Sequence, residues 1–562
     1  MPNINDINGV TVANLAKLDA VLKANISTVN GLTLSAAAAF LLDTYTGAAA
    51  AYSTRKLKTG VTVAARIRRS GDDIEADVEF DSNNEISLTS PISNASSGTY
   101  TDLADFVDHS TTPRDAFVDE WKDQSGSGNH AAQATAANQP KLYDATTGLV
   151  TKNGKPATQF RRATAGAYHM TLTSTTMGTV FQVVDNDTAG LLSYSTYNSG
   201  GTGLLTGGTF TGVNGPGFYD GTVRTVTGSE TGQTLLYYRH NGSLQYDVAQ
   251  DGGSTTALGN TSAIVLTELG RNSSNLQLEY YQEMIVWTGD ESSNRTGIET
   301  NINSDYLIYQ PTDAPTSGLL STYTGAAAAY SVRQLSDKAV IALRIRRDSD
   351  DEERNIGFDS NGDLATADIS AFCGTANGYV VEWADQSTNG NHATQSTAGN
   401  QPQIYDGSQI TVGGKPAIKF LGQKRLSMNL SINVTDANAF YCAGSFNLGK
   451  YVLQATNNTG RFFGAIENGS TSGTEAGFTV NSYHVNGTEI TSPNRDKLYD
   501  AMLDQGIMAV DYSSTNSDNY QIGYISGGFD NMTVQEVIIY HTDKSSDRSN
   551  IESNLMTYFS IT

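Results

Sequence analysis

Short runs of apolar and β-branched residues, separated by turn sequences, recur along the chain. Such runs lie at 61–67, 179–184, 234–238 and 283–287, and Asn-Gly, Asp-Gly and Gly-Gly pairs stand between runs of this kind. These pairs accept the positive φ angles of tight hairpin turns, so the pattern predicts antiparallel strands. The run that ends at Trp287 is apolar at successive positions, which indicates a central strand covered on both faces. We therefore expect an all-β fold of jelly-roll sandwiches, with a short helix after this run that caps one end.

The chain repeats itself over long distances. The string Leu-Leu-x-Thr-Tyr-Thr-Gly, followed by four alanines and a tyrosine, occurs at 41–52 and again at 319–330. Further shared strings follow in the same order in both copies, among them Arg-Ile-Arg-Arg and Gly-Lys-Pro-Ala. The period is too long for a solenoid, so each copy forms a domain. We predict two homologous sandwiches, 41–310 and 319–562, joined by a linker at 311–318.

The first 40 residues follow a different pattern. The segment 4–10 is partly echoed by 26–32, and leucines lie at helical spacing between them. A lone amphipathic helix of this length is marginal in water, so its apolar stripe needs a partner. One alternative is that it folds back on the first sandwich; the other, favoured by its difference from both domains, is anchoring and oligomerisation. The residues assigned to anchoring are Ile7, Val10, Leu15, Leu18, Leu22, Ile26 and Val29.

The charge balance excludes several classes of function. The chain has 35 Lys and Arg residues against 58 Asp and Glu, a net charge of -23. Such a surface repels phosphate backbones and anionic lipids, so we expect neither nucleic-acid binding nor membrane attachment. The start of the chain has no basic segment and no long apolar run, and we expect no signal peptide and no membrane insertion. The two cysteines, Cys373 and Cys442, cannot form a disulfide framework.

The shared strings resemble a known family. Ala-Tyr-Ser-x-Arg, Arg-Ile-Arg-Arg, Trp-x-Asp-Gln-Ser-x-x-Gly-Asn-His-Ala and Asn-Gln-Pro are similar to the catalytic domain of α-L-arabinofuranosidase B enzymes and to its relatives in phage virion proteins. The resemblance covers both copies and implies a concanavalin A-like, or laminin G-like, sandwich. The Asn-Gly-Val and Asn-Gly-Leu segments within residues 1–40 resemble N-terminal parts of tailed-phage structural proteins. A fold does not carry function by itself, so activity has to be judged from individual residues.

Hydrolysis by a retaining glycosidase requires two carboxyl groups about 5–5.5 Å apart, one as nucleophile and one as acid. The resemblance places the acid in the loop before the closing strand, which here reads Leu-Gly-Arg-Asn-Ser-Ser-Asn at 269–275 and has no carboxylate. In the second copy the segment 526–531 keeps Asp530, without an assigned partner. Neither copy has the Met-Glu-Asn type of strand that the resemblance implies for the nucleophile. We therefore predict no catalytic residues and a protein that is not an enzyme.

One loop has the composition of a cation site. Asp359, Asn361 and Asp363 place oxygen ligands at alternate positions, a spacing that suits Ca²⁺, and 81–85 echoes it. The same composition is typical of a hairpin turn, and no bidentate Glu follows at the required distance. We expect no metal and no other cofactor, with this loop as the one weak Ca²⁺ candidate.

Two pairs of residues are candidates for glycan binding. Trp121 and Trp383 have flat faces of the kind that stack on sugars, whereas their apolar strand neighbours indicate the core. His130 and His392 lie in the Gly-Asn-His-Ala strings, where a ring nitrogen serves either a ligand or a hydrogen bond within the loop. Both alternatives stay open for each pair.

Together these features predict a non-enzymatic structural protein of a tailed phage, such as a capsid decoration, a head fibre or a tail-associated adhesin. We expect it on the virion surface, held by its N-terminal segment to other virion proteins, as a homo-oligomer with a trimer as one form. Host-surface glycans are its expected external partners. The alternative is a secreted glycan-active protein, either an α-L-arabinofuranosidase-like glycoside hydrolase or a lectin; a cell-surface adhesin ranks last because no anchor signal is present.

Overall fold

The computed structural model divides the chain into two compact units, Met1–Asn301 and Ile302–Thr562, called here the first and second domains. The predicted boundaries at 310 and 319 stay predictions. The structure describes residues 6–7, 10–11, 28–29, 32–33, 40–163, 166–186, 193–198, 202–207, 209–210, 213–214, 217–219, 223–225, 232–240, 245–258, 264–270, 278–434, 436–446, 452–456, 461–462, 478–515, 517–523 and 530–561.

The first domain contains two antiparallel layers of strands, which are joined where Lys141 pairs with Gln159. The first sheet has, in spatial order, Thr256–Leu258, Tyr246–Gln250, Gly232–His240, Thr179–Asn186 and Leu278–Trp287, whose far edge pairs with both Ala50–Ser53 and Thr158–Ala163. The second sheet has Ile92–Ser93, Glu75–Glu79, Val63–Arg69, Ala116–Trp121, then Ala131–Ala132 beside Lys141–Asp144, then Met170–Thr176, Val265–Leu269, Ser193–Asn198, Thr202–Gly207, Gly217–Tyr219 and Val223–Thr225.

Short elements complete the first domain. Small β pairings are formed by Gly148–Leu149, Thr151–Lys152, Lys155–Pro156, Gly166–Ala167, Thr209–Phe210 and Val213–Asn214. Helical segments are Leu41–Thr44, Leu103–Phe106, the 3-10 turn Ala136–Asn138, and Arg295–Tyr306, which runs across the boundary between the two units.

The second domain repeats this arrangement. Its first sheet has Thr488–Glu489, Phe478–Val485, Gly506–Ser514, Asn438–Phe446 and Asp530–Tyr540, whose far edge pairs with Ala326–Ser331 and Ile418–Gly422. Its second sheet has Glu353–Ile356, Leu343–Arg347, Asn377–Trp383, then Ala393–Thr394 beside Gln403–Asp406, then Arg425–Ser431, Asn519–Gly523, Leu453–Ala455 and Arg461–Phe462. The remaining elements are the hairpin Thr411–Val412 with Lys415–Pro416, and the helical segments Leu319–Thr322, Thr366–Cys373, Ala398–Asn400, Arg495–Met502 and Arg548–Phe559.

The predicted all-β fold with two antiparallel sandwiches is confirmed. In each domain one buried apolar cluster takes side chains from both sheets. The strand Leu278–Trp287 has strands on both edges, and its residues from Tyr281 onward are buried. This confirms a central strand covered on both faces, because a strand with one wet face alternates between buried and exposed positions.

The two domains differ in the order of the strands in their first sheets. In the first domain the strand beside Thr179–Asn186 precedes its outer neighbour in sequence, whereas in the second domain the outer strand Phe478–Val485 comes before the inner strand Gly506–Ser514. The helix Arg548–Phe559 lies against that inner strand and buries one apolar face. The helix predicted to cap one end of the first sandwich is Arg295–Tyr306, and its capping role stays a prediction.

At the N-terminus the structure describes two small hairpins. Asp6–Ile7 pairs with Val10–Thr11, and Thr28–Val29 pairs with Leu32–Thr33. In sequence, an Asn-Gly pair stands between the two strands of each hairpin, a pair that two-residue turns favour. They lie at equivalent positions of the short internal repeat. The helices within the described ranges are too short or too polar to span a bilayer.

Candidate functional site

Each domain contains a buried ion pair that joins its first strand to its last. In the second domain the Arg333 guanidinium donates to Glu536, at 2.8 Å from Nε and 3.0 Å from Nη2. The Ser331 hydroxyl donates to the same carboxylate at 2.7 Å. Glu536 is fully buried. Burial by itself lowers the pKa of Arg333, but the negative charge of Glu536 raises it, and the pKa of Arg333 is raised overall. A bidentate pair of this kind fixes the guanidinium in place.

The first domain repeats the pair with one difference. Arg55 donates to Glu283 at 2.7 and 3.0 Å, and Ser53 donates to that carboxylate at 2.8 Å. In addition, Arg55 Nη1 donates to Asn301 Oδ1 at 3.0 Å. The equivalent Nη1 of Arg333 makes no hydrogen bond to any residue that the structure describes.

A shallow depression of about 460 Å³ lies beside Arg333 in the second domain. The C-terminal helix, Arg548–Phe559, forms one wall, and Tyr323 and Arg333 complete the lining. The helix contributes side chains at i, i+3, i+4, i+7 and i+8, which share one face of a helix. These are Asn550, Ser553, Asn554, Thr557 and Tyr558. A smaller concavity of about 270 Å³ adjoins it and shares Ser553 and Thr557.

Tyr558 is held in place from several sides. Its ring lies under the Arg333 guanidinium, at 4.6 Å from Cζ, and under Lys415 Nζ at 4.2 Å. Its hydroxyl donates to Asp363, which also pairs with Lys415 at 3.3 Å. Burial and this contact with Asp363 raise the pKa of Tyr558, so the phenol stays neutral. The ring is thus a fixed wall of the depression.

The depression presents neutral polar groups. Arg333 is balanced by Glu536, and Lys415 is balanced by Asp363. The side-chain amides of Asn550 and Asn554 and the hydroxyl of Ser553 make no hydrogen bond within the described part of the chain, and all three residues are exposed. Each amide offers both donors and an acceptor, as a ligand with many hydroxyl groups requires.

The two tryptophans proposed for glycan binding lie inside the core. Trp121 and Trp383 are both fully buried, and their indole N–H groups donate to the carbonyls of Ser53 and Ser331 at 3.3 Å. Neither ring presents a face to solvent. In this structure they pack beside a buried tyrosine of the first strand, as a core side chain does.

The two histidines proposed for glycan binding support their own loops. His130 Nδ1 accepts the backbone N–H of Asp123 at 2.9 Å, and His392 Nδ1 accepts that of Asp385 at 3.1 Å. Accepting a hydrogen bond at Nδ1 leaves the proton of the neutral ring on Nε2. The structure does not bring these histidines to the depression described above.

The Asp-Gln-Ser strings form the anchor of that loop. The Asp385 carboxylate accepts the backbone N–H groups of Ala329, Ser387 and Asn391 at 2.8–3.0 Å and the Ser387 hydroxyl at 2.8 Å. Asp123 makes the equivalent set in the first domain. These strings therefore hold the fold together.

The weak Ca²⁺ candidates are engaged within the protein. Asp359 accepts the backbone N–H groups of Asn361 and Asp363 at 2.8 and 3.0 Å, which is an Asx turn. Asp363 pairs with Lys415 and Tyr558. Across the described ranges, no three His, Cys, Asp or Glu side chains come together as a metal-binding group would.

Several predicted positions lie outside the described residues. These are 271–275 of the first catalytic-type loop, 526–529 of the second, and Leu15, Leu18, Leu22 and Ile26 of the anchoring segment. Asp530 begins the strand Asp530–Tyr540, and Ile7, Val10 and Val29 lie in the N-terminal hairpins; the structure describes their backbone only.

None of the residues that line the depression was predicted as a site residue. Its lining comes from two distant segments, around Tyr323 and Arg333 and around the C-terminal helix. A signal was present in the helix itself, where Asn550, Ser553, Asn554 and Thr557 form a polar stripe opposite the buried Ile551 and Leu555. A polar face alone is the ordinary property of a surface helix, so that stripe does not identify a site without the fold.

Comparisons with known proteins give one partial family match. A family model described as alpha-L-arabinofuranosidase B, catalytic, matches residues 315–438. This range includes Tyr323, Arg333 and Trp383 and ends before the C-terminal helix. No curated protein matches the chain.

Solved structures similar to this chain include two arabinofuranosidases and a toxin domain. GH54 α-L-arabinofuranosidase soaked with a cyclic sulfate inhibitor is 14% identical, with a TM-score of 0.35, over 69% of this chain and 89% of that chain. Arabinofuranosidase complexed with arabinofuranosyl-alpha-1,2-xylobiose is 14% identical, with a TM-score of 0.34, over 69% of this chain and 89% of that chain. The binding domain of botulinum neurotoxin DC in complex with SialylT is 8% identical, with a TM-score of 0.27, over 77% of this chain and 94% of that chain. TM-scores this low carry no argument, so the fold rests on the strand pairing above.

Proposed function

We propose that this protein binds neutral glycans through the depression on the C-terminal helix of its second domain. The observation that carries the proposal is the set of unengaged hydrogen-bonding groups there: Arg333 Nη1, the two asparagine amides and the Ser553 hydroxyl, between Tyr323 and Tyr558. Sugars combine ring faces with closely spaced hydroxyl groups, and side chains that offer both an aromatic wall and paired polar groups match that chemistry.

The size of the depression and its charge define the ligand. A volume of about 460 Å³ lies within the range of small-ligand sites, about 300–1,000 Å³. The protein has a net charge of -23, and the Arg333 charge already has a buried carboxylate partner. A ligand carboxylate would meet repulsion without a free cation to offset it. The site therefore favours neutral sugars over uronic or sialic acids.

Hydrolysis is the second candidate, favoured by the family match over 315–438. No carboxyl group lines the depression, and a glycosidase needs two at the scissile bond. We therefore infer binding without turnover at this site. The wider hypothesis, a virion surface protein that meets host glycans, stays a prediction supported by the resemblance of its N-terminal segment to phage structural proteins.

The test is calorimetric titration of the full chain with neutral oligosaccharides, arabinofuranosyl-xylobiose among them, and with sialylated and uronate-containing ones. We expect binding of a neutral oligosaccharide and about thirtyfold weaker binding by the double variant Ser553→Ala, Asn554→Ala, since each of the two lost hydrogen bonds contributes about 1 kcal/mol. The matched control is Thr300→Ala, at the position of Ser553 in the first domain, which should bind as the unaltered chain does.

Three outcomes contradict parts of the proposal. Equal binding by the double variant and the control would place any glycan site elsewhere. Preference for acidic sugars would overturn the charge argument. Release of arabinose from arabinofuranosyl-xylobiose, detected by chromatography of the products, would support a hydrolase.

A further inference from the structure

The depression has an equivalent place in the first domain, because its tyrosine, its arginine and one of its asparagines occur in both copies, whereas Asp305 stands where the second domain has Tyr558. Tyr45 and Tyr323 each follow a short helix that starts the domain. Arg55 and Arg333 each form the buried ion pair. The helices Arg295–Tyr306 and Arg548–Phe559 each carry an Arg-Glu pair one turn apart near their start, which aligns them residue by residue. Gly297 then corresponds to Asn550, and Asn301 to Asn554.

In the first domain this place is filled by Tyr45. A Cβ atom built on Gly297 would lie 2.0 Å from Tyr45 Oη, so the tyrosine rests directly on the bare backbone of the helix. The amide of Asn301 is also engaged, because its Oδ1 accepts from Arg55 Nη1 at 3.0 Å. Both the space and the guanidinium donor that serve the second-domain site are therefore used within the first domain.

In the second domain the same two features are released. Asn550 places a side chain where Gly297 has none, and Tyr323 lines the depression instead of covering the helix. Asn554 and Arg333 Nη1 have no hydrogen-bond partner among the described residues. At this position the absence of a side chain on Gly297 leaves room for Tyr45 to pack against the helix, and Asn550 carries a side chain at the equivalent place.

We infer that the residue at this position is a specificity determinant that closes the first copy and opens the second, so that each chain carries one open site of this kind for a neutral glycan. The inference rests on the proposed function for its ligand, but the closure itself is a property of the protein alone. It also assigns Gly297 a role beyond helix geometry: its missing side chain makes room for Tyr45.

The experiment combines calorimetry with hydroxyl-radical footprinting read by mass spectrometry, on the full chain. Gly297→Asn installs the second-domain residue in the first domain, and Gly297→Ala displaces Tyr45 with the smallest side chain and improves the helix. The reverse variant is Asn550→Gly. The probe is the neutral oligosaccharide that binds the unaltered chain most tightly.

We expect one site per chain for the unaltered protein and at least tenfold weaker binding for Asn550→Gly. Because Asp305 stands where the second domain has the aromatic wall Tyr558, a second site is expected when Gly297→Asn is combined with Asp305→Tyr. Footprinting should show severalfold higher oxidation of Tyr45 in both Gly297 variants, with the oxidation of Tyr323 unchanged as the internal control.

Failure of the inference and failure of the proposed function give different results. Two sites in the unaltered chain, or one site in the double variant Gly297→Asn, Asp305→Tyr, would overturn the inference and leave glycan binding intact. No binding by any variant would overturn the proposed function, and footprinting then decides on closure alone. Unchanged oxidation of Tyr45 in both Gly297 variants would overturn the inference whatever the sugars do.

Discussion

At the scale of single residues, Asp251 of the first domain is half-buried at a position where its charge is costly. Burial raises the pKa of Asp251 from 3.8 to about 6, and the nearby Glu299 adds to this, while the Leu235 N–H and Gln250 pull in the other direction. A carboxyl whose pKa is raised on folding binds more protons in the folded state between about pH 4 and pH 6. Stability is therefore highest below this window and falls as the pH rises through it.

Asp251→Asn should remove that pH dependence. The amide keeps an oxygen for the Leu235 N–H, which Asp251 accepts at 2.8 Å, and asparagine tolerates the left-handed backbone found here, with φ 51°. We expect the first domain to gain about 2 kcal/mol at pH 7.5 and little at pH 4. Calorimetric melting at both pH values measures this; a gain of equal size at both would contradict a protonation effect.

The opposite sign is expected at Asp290. Burial raises the pKa of this carboxyl, but the hydrogen bonds from Ser292 lower it, and the pKa of Asp290 is lowered overall. Its contribution is present above the unfolded pKa and is lost as the pH falls below it. Asp290→Asn should therefore leave the first domain unchanged or slightly less stable at pH 7.5, and it serves as the control for Asp251→Asn.

The buried ion pair of the second domain makes a second prediction. Glu536→Gln leaves the Arg333 charge buried without a counter-charge, and we expect a loss of about 3–5 kcal/mol from the second domain. The control is Glu353→Gln, whose half-exposed pair with Arg344 at 3.5 Å should contribute less than about 1 kcal/mol. Urea denaturation monitored by fluorescence measures the free energy of unfolding of both variants. Similar losses in Glu536→Gln and Glu353→Gln would show that burial does not determine how much an ion pair contributes to stability.

At the scale of elements, the sequence predicted strands well and the chemistry around them less well. Alternation and turn pairs predicted the sheets, because these signals depend on residues close in sequence. Trp383 was open to two interpretations, since a strand pattern does not say which face is covered. The tyrosine that closes over Gly297 was not predictable, because residues 45 and 297 meet only in the folded domain.

The Asp-Gln-Ser loop predicts a graded response to mutation. Asp385→Ala removes an acceptor shared by four hydrogen bonds, and we expect the second domain to lose about 3 kcal/mol or more. Ser387→Ala removes one of those donors and should cost about 1 kcal/mol. Thermal melting measures both. Equal losses would mean that the loop depends on the serine rather than on the carboxylate.

At the scale of the whole molecule, the duplication has kept the buried groups that connect the strands, while the strand order and part of the surface have changed. The ion pair, the Asp-Gln-Ser anchor and the buried tryptophan occur in both domains with nearly the same distances. The position beside the tyrosine differs, Gly297 in one domain and Asn550 in the other. Substitution of groups that hold a sandwich together destabilises it, whereas substitution at a helix surface usually changes stability little. The difference between Gly297 and Asn550 is of the second kind.

The N-terminal segment gives the last prediction. The anchoring hypothesis assigns attachment and oligomerisation to residues 1–40, which precede the predicted start of the first sandwich at residue 41. Deleting them should leave the melting of both domains and glycan binding unchanged, while the mass in analytical ultracentrifugation falls to that of a monomer and incorporation into virus particles is lost. Peptide mass spectrometry of density-purified particles measures incorporation. A deleted chain that keeps its oligomeric state, or that melts earlier in the first domain, would favour the alternative in which this segment folds back on the first sandwich.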